Sequence, residues 1–191
     1  MDLDGLTFAC AMTGEARAAR RLGPTALVGL GVANGVPDGR LVSFGIAGAL
    51  HSGLPVGTVI DATRVVDESG AVLWEGGPLG VASARVGTIL GAERIVDDPR
   101  ERARLRFVTG ADAVDMESGP LARSGRLAGC VRAISDTPEQ RLAGLAEAAK
   151  PDGRADLPGL VRGFVRAPRD TARAGANAMR ALRSLQRLVL A

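Results

Sequence analysis

Two acidic side chains follow short apolar runs in the second half of the chain. The run GADAVDMES at residues 110–118 carries Glu117 close to its end, and the run VRAISD at residues 131–136 stops at Asp136. Short apolar and β-branched runs bounded by polar residues are typical of buried strands, so both carboxylates are expected at C-terminal strand ends. Ligands of open α/β sheets bind at that edge. Carboxylates there can accept hydrogen bonds from hydroxyl groups, transfer a proton and stabilise developing positive charge.

A third acid, Glu15, lies where the first predicted strand, residues 6–12, gives way to a helix at residues 14–22. The Thr13 hydroxyl is expected to cap the first helical amides. All three acids also have ordinary structural explanations. The helix dipole favours Glu15 and Glu117 as helix-start acids, and Asp136 could cap the segment that follows it.

The composition predicts one domain over residues 1–191. Hydrophobic residues make up 46% of the chain but aromatic residues only 3%. The core must therefore be built from Val, Leu, Ile and Ala, which suits parallel strands covered by helices. Cys10 and Cys130 have no metal-ligand spacing around them, so buried reduced thiols and no metal site are expected. The N-terminus lacks a signal-like segment and no apolar stretch is long enough to span a bilayer, so the expected compartment is the cytoplasm.

Further strands are predicted at residues 26–30, 41–44, 58–66, 85–90 and 129–134, and further helices at 99–107 and 117–127. Residues 67–83 are predicted to be mostly loop. Two terminal helices, broken near Pro168, are predicted from residue 157 onward. The connection at residues 32–40 contains turn signals and is shorter than the dozen or more residues that a parallel crossover usually takes.

These motifs resemble those of the purine nucleoside phosphorylase and methylthioadenosine nucleosidase superfamily. Met116-Glu117 resembles its ribose-binding element and Ser135-Asp136 its base-binding element, while Ala11-Met12 followed by Glu15 matches its nucleosidases. The resemblance implies an α/β three-layer sandwich with a central mixed, mostly parallel twisted sheet flanked by helices. It also implies an enzyme that cleaves the N-glycosidic bond of a purine nucleoside.

The resemblance assigns a role to each of these residues. Asp136, beside Ser135, protonates or hydrogen-bonds N7 of the leaving base. Glu117 holds the ribose 2′ and 3′ hydroxyls while Met116 packs on the sugar. Glu15 positions the attacking water. The purine site also includes Ile95 and Val96.

The segment at residues 43–50, SFGIAGAL, resembles the glycine-rich strand-to-turn element of the family. The resemblance places Gly45, Ile46, Ala47 and Gly48 near the sugar or an anion. Family members often have Ser or Thr where Ile46 stands, and losing that hydroxyl weakens an anion site. Hydrolysis is therefore slightly favoured over phosphorolysis, in which inorganic phosphate would be the co-substrate; no other cofactor is expected. A non-catalytic adenosine-binding module is the alternative from another class.

Three segments, residues 43–50, 109–118 and 131–136 with its continuation, are similar to one branch of the superfamily, the hopanoid-associated nucleoside phosphorylases. The branch implies an adenine nucleoside with an apolar 5′ substituent, such as adenosylhopane, and the family as a whole implies a homodimer. The chain departs from the branch at Gly119-Pro120 and in the short 32–40 connection.

The C-terminal segment is basic, with seven Arg and only Asp170 as an acid in residues 160–191. On a helical wheel Arg173, Arg180, Arg183 and Arg187 share one arc, and Met179, Leu182, Leu185 and Val189 share another. Such a helix either contacts an anionic membrane surface or packs on the sheet with solvated arginines, and the second interpretation is preferred. A nucleic-acid partner is not expected, because no aromatic residue follows Phe164.

Overall fold

The computed structural model describes residues 5–140 and 168–189, which form a single mixed sheet with helices packed on it. The first predicted terminal helix, up to residue 167, lies outside the described residues. The strands are β1 Leu6–Cys10, β2 Thr25–Leu27, β3 Arg40–Ala49, β4 Val59–Val66, β5 Val72–Glu75, β6 Arg85–Gly91, β7 Ala113–Asp115 and β8 Leu127–Asp136. The helices are α1 Thr13–Ala19, α2 Pro99–Thr109, α3 Ser118–Arg123 and α4 Pro168–Gln186, with a 3₁₀ turn at Leu30–Val32.

The centre of the sheet closes on itself, which corrects the expectation of an open three-layer sandwich. β8 pairs with β3 on one side and with β4 on the other, so the strands β3, β7, β6, β4 and β8 form a ring. Three contacts in this ring are parallel, and the β3–β7 and β4–β8 contacts are antiparallel. β1 and β2 extend the sheet from β3, and β5 extends it from β4.

The core is aliphatic, as the composition predicts. The buried residues inside the ring include Leu41, Ile60, Val65, Ile89 and Ile134. A second cluster lies between the sheet and the helices α1 and α4, where Phe8 and Phe44 meet edge to face at 5.6 Å. α4 therefore packs on the sheet through its apolar face, which confirms the preferred interpretation of the terminal helix.

Two local predictions were wrong. The N-cap of α1 is Met12 rather than Thr13, and the Glu15 carboxylate accepts a hydrogen bond from the Met12 amide at 2.9 Å. Residues 45–48 belong to β3 rather than to a turn, because β3 is hydrogen-bonded as far as Ala49. The 32–40 connection contains no helix beyond the 3₁₀ turn, in agreement with its turn-rich sequence.

None of the helices in residues 5–140 and 168–189 combines the length and apolarity that a bilayer crossing requires.

Candidate active site

Arg132, in the middle of β8, has a side chain that is fully buried. Its Nε lies 2.5 Å from Asp115 Oδ2, and its Nη2 donates to Ser43 Oγ at 2.5 Å. A buried charge is tolerated only when it is paired and hydrogen-bonded. Burial would lower the pKa of Arg132, but the nearby negative charges, led by Asp115, raise it overall. Sequence reasoning missed this residue, although a lone Arg inside an apolar strand was a usable signal.

Asp115, the last residue of β7, contacts both the Arg132 guanidinium and Ser118, the first residue of α3. Its Oδ1 accepts from the Ser118 amide at 3.0 Å, and its Oδ2 accepts from the Ser118 hydroxyl. Ser118 Oγ lies 3.0 Å from Ser43 Oγ and 3.2 Å from Arg132 Nη2. These contacts hold the Arg132 guanidinium against Ser43, Asp115 and Ser118.

Glu117 lies beside the same guanidinium and is 5% exposed. Its Oε1 accepts from the Gly31 amide at 3.0 Å, and its Oε2 is 3.8 Å from Arg132 Nη2. Burial raises the pKa of Glu117 to about 7, with Arg132 opposing and Asp115 and Glu15 adding to the rise. Met116 Cε lies 3.8 Å from the point where a Cβ of Gly31 would stand, so Met116 and Glu117 contact the same 3₁₀ turn.

Glu15 reaches the site from the first turn of α1 and is 1% exposed. Its Oε2 accepts from the Met12 amide and its Oε1 from the Ile46 amide, both at 2.9 Å. Burial raises the pKa of Glu15, against the opposing effects of Arg132 and of the backbone amides. The Ile46 amide, which was expected near a sugar or an anion, is therefore occupied by this carboxylate.

Gly45 makes room for both charged groups. A Cβ at this position would lie 2.4 Å from Arg132 Nη1 and 2.5 Å from Glu15 Oε1. Arg132 Nη1 is buried and has no hydrogen-bond partner within residues 5–140 and 168–189. An unused buried donor and a carboxylate oxygen thus border the same face of Gly45.

Asp136 forms a second polar cluster with Arg102, another residue that sequence reasoning missed. Asp136 Oδ2 is 2.5 Å from Arg102 Nη2, and Oδ1 accepts from Ser135 Oγ at 2.7 Å. Arg102 is 1% exposed and also donates to the carbonyls of Val96, at 2.9 Å, and Ala49, at 3.2 Å. The Asp136 carboxylate therefore has a buried counter-charge.

The two clusters are adjacent along β8. Arg132 and Asp136 are four residues apart, or about 13 Å along an extended strand. β3 pairs Gly45 with Arg132 and Gly48 with Asp136, and Gly48 also pairs with Val114 of β7. Glu117 and Asp136 were expected at the same edge of the sheet because both end strands. The two strands run in opposite directions: β7 is antiparallel to β3, whereas β8 is parallel to it. The strands that precede Glu117 and Asp136 both flank the end of β3.

Two residues predicted to lie beside the base, Ile95 and Val96, differ in their surroundings. Ile95 is 40% exposed, whereas the Val96 side chain is 3% exposed and packs in the cluster of Leu50, Leu90 and Leu105. The Val96 carbonyl reaches the site indirectly, through Arg102. The Ala47 carbonyl lies 3.2 Å from Ser135 Oγ. Contact between any of these residues and a base stays a prediction.

Within the described parts of the chain, no group of three or more His, Cys, Asp or Glu side chains is arranged to hold a metal ion. Cys10 and Cys130 are free and buried.

Comparison with protein-family models and with curated protein sequences finds no match. Comparison with solved structures finds the same fold in several nucleosidases. An Asp-to-Asn variant of the Helicobacter pylori nucleosidase MTAN, with 5′-methylthioadenosine in its active site, has a TM-score of 0.57 at 17% identity, covering 93% of this chain and 97% of that one. A Chlamydia trachomatis MTAN, also an Asp-to-Asn variant bound to MTA, has a TM-score of 0.61 at 14% identity, covering 95% and 93%.

Futalosine hydrolase of Helicobacter pylori has a TM-score of 0.53 at 14% identity, covering 91% of this chain and 96% of that one. The chain therefore shares the fold of these nucleosidases.

Proposed function

We propose that this chain is a nucleosidase that cleaves the N-glycosidic bond of an adenine nucleoside, with water as the nucleophile. The observation that carries the proposal is that Arg132, which lies beside the Glu15 and Glu117 carboxylates, shares strand β8 with Asp136, in the fold of nucleosidases. Two neighbours that hold methylthioadenosine carry an Asp-to-Asn substitution. That pattern is consistent with an aspartate being needed for turnover in this fold.

Glu117 is the proposed ribose ligand. Its Oε1 is taken by the Gly31 amide, so Oε2 is the oxygen that would accept hydrogen bonds from the sugar hydroxyls. Charge-assisted hydrogen bonds of this kind are stronger than neutral ones. The buried carboxylate also favours the positive charge that develops on the sugar as the bond to the base breaks.

The attacking water is proposed to be held by the Glu15 carboxylate, which fills the space beside Gly45 together with the Arg132 guanidinium. The water oxygen forms the new bond to C1′ and its proton passes to Glu15. The electrons of the C1′–N9 bond pass to the purine. Glu15 suits the role of base because burial raises its pKa above the ordinary value of a carboxyl group.

Asp136 is proposed to donate the proton that N7 of the leaving base takes up. The proton that Asp136 donates would come from solvent as the nucleoside binds. One proton enters at Asp136 and one leaves from Glu15, so the hydrolysis is balanced. Acid assistance of this kind typically contributes ~10² to 10⁴ in rate.

The charges of the site favour water over phosphate. Glu15, Glu117 and Asp115 surround one guanidinium, that of Arg132. A phosphate would meet three carboxylates, and the Ile46 amide that could bind it already donates to Glu15. Like charges brought together in a buried site repel strongly.

Adenine release from 5′-methylthioadenosine tests the proposal. We expect the same rate in phosphate-free buffer and in phosphate, with a free sugar as the second product. Release that requires phosphate and yields a sugar 1-phosphate would identify a phosphorylase instead. Tight binding of methylthioadenosine without turnover would identify the non-catalytic adenosine-binding module.

The finer substrate assignment is an apolar 5′ substituent, such as that of adenosylhopane, and it is supported by the sequence resemblance of residues 43–50, 109–118 and 131–136. The expected result is a kcat/KM for adenosylhopane above that for methylthioadenosine. A homodimer is proposed on the same resemblance, and the mass of the full chain in solution, measured by light scattering, tests it.

A further inference from the structure

The outward face of α4 carries a line of arginines. All five side chains are exposed, and at 3.6 residues per turn they fall within an arc of roughly 80°. The line is about 27 Å long, since a helix rises 1.5 Å per residue. These residues, which we name the arginine stripe, are Arg169, Arg173, Arg180, Arg183 and Arg187.

The stripe lies on the exposed side of α4, although the Arg180 stem packs beside Gly57. The opposite face of α4 is buried and packs on α1, β8 and β3. Its members are Thr171, Ala174, Asn177, Ala181, Leu185 and Leu188. The apolar face of the helix is therefore already used by the fold and is not free to insert into another apolar phase.

Among the described residues, one acid compensates the charge of the stripe. Asp170 is the only acid in the helix and lies 3.3 Å from Arg173. For the other four arginines, residues 5–140 and 168–189 provide no carboxylate within salt-bridge distance. Three more exposed arginines extend the basic surface from α1, which packs beside α4: Arg17, Arg20 and Arg21, the last donating to the Leu188 carbonyl.

We propose that the arginine stripe binds the headgroups of an anionic lipid surface. A straight line of arginines on one exposed face matches a flat anionic plane, and each basic residue near such a surface adds to the attraction. Met179, which is 51% exposed, is next to Arg180 and Arg183 on the helix and can contact the headgroup region. The described part of α4 offers no aromatic side chain on which a nucleic-acid base could stack.

The proposed binding is electrostatic and stays at the membrane surface. The apolar face of α4 packs on the sheet and is not available for insertion into the bilayer. Attraction to a charged surface falls within a Debye length, so salt should release the protein. The inference does not depend on the proposed enzymatic activity, and its test does not measure that activity.

The experiment is co-sedimentation of the full chain with vesicles. One set contains phosphatidylcholine and phosphatidylglycerol, and the other contains phosphatidylcholine alone. The stripe variant is R180Q/R183Q/R187Q. The matched control is R100Q/R104Q/R123Q, which changes three exposed arginines outside α4. Each variant removes three positive charges from a chain of formal net charge +3.

The expected result is binding of the wild type to the anionic vesicles only, and its loss in high salt. The stripe variant should bind about 100-fold more weakly and the control should bind like the wild type. Equal weakening of both variants would show that net charge alone is responsible and would overturn the proposal. No binding of the wild type in low salt, or tighter binding to duplex DNA or RNA than to vesicles, would overturn it as well. Thermal unfolding of each variant verifies that the fold is retained.

Discussion

Arg102 and Asp136, from a helix and a strand 34 residues apart in the sequence, form an ion pair of 2.5 Å in which both side chains are buried. The pair joins α2 to the end of β8 at the proposed base-binding position. Gly48 leaves space for it, because a Cβ there would lie 2.9 Å from Asp136 Oδ2 and 3.2 Å from Arg102 Nη2.

Replacing Arg102 with Met should destabilise the fold by about 3–5 kcal/mol, since the buried Asp136 carboxylate would lose its counter-charge. Urea unfolding measures the change. Arg104→Met, an exposed arginine on the same helix, is the control and should stay within about 0.5 kcal/mol of the wild type. The double variant R102M/D136N should recover part of the loss, and a double variant less stable than R102M would contradict the pairing.

Replacing Asp136 with Asn should lower kcat for adenine release by ~10² to 10⁴ and leave nucleoside binding largely intact. The amide keeps the shape of the carboxylate but cannot donate an acidic proton. Asp38→Asn, whose side chain is 99% exposed, is the matched control and should be fully active. Undiminished turnover in D136N would remove Asp136 from the mechanism.

Glu117 should make the stability of the fold depend on pH. Its folded pKa, raised from 4.5 to about 7, means that the folded state binds the proton more tightly than the unfolded chain does. This contribution is fully present below pH 4.5 and is lost as the pH rises through 7, on the order of 3 kcal/mol. Between pH 4.5 and 7, the free energy of unfolding of the Glu117→Gln variant should fall less steeply with pH than that of the wild type. Identical slopes for wild type and variant would contradict the assignment.

Replacing Gly45 with Ala should impair the site more than the fold. The added methyl group would lie 2.4 Å from Arg132 Nη1 and 2.5 Å from Glu15 Oε1, so one of the two groups must move. Overpacking of this kind costs about 1–3 kcal/mol in stability. We expect adenine release to fall by about 100-fold or more, because a displacement of about 1 Å can have that effect. Gly77→Ala, with open space around the new Cβ, should retain both stability and rate.

The acids of the candidate site could be found in the sequence because each ends a strand or begins a helix. All three acids, Glu15, Glu117 and Asp136, are buried in the structure. Acids that only cap helix ends at the surface do not need to be buried. The predicted aliphatic core and most strands were also correct, since both depend on local patterns.

The two buried arginines lie inside a helix and a strand, so the rule that found the acids passes over them. α2 contains four arginines in alternate positions, and spacing alone does not say which of them faces inward. The Arg132 guanidinium donates a hydrogen bond to Ser43 Oγ, which is 89 residues away in the sequence. This contact forms only in the folded chain. Gly45 and Gly48 were assigned to a turn on the family resemblance of residues 43–50, whereas here they lie in β3 and accommodate neighbouring side chains.

Closure of the sheet likewise depends on long-range pairing. No local pattern shows that β8 will hydrogen-bond to β3 and β4 at once, although the burial of its last eight residues agrees with partners on both sides.

Because β8 is hydrogen-bonded on both edges, the spacing between Arg132 and Asp136 is fixed by the extended strand. Variation in ligand preference among relatives would then have to arise elsewhere, in the loop at residues 92–98 or on the side of the 5′ group. Engineering of a new specificity should begin there and leave the strand untouched.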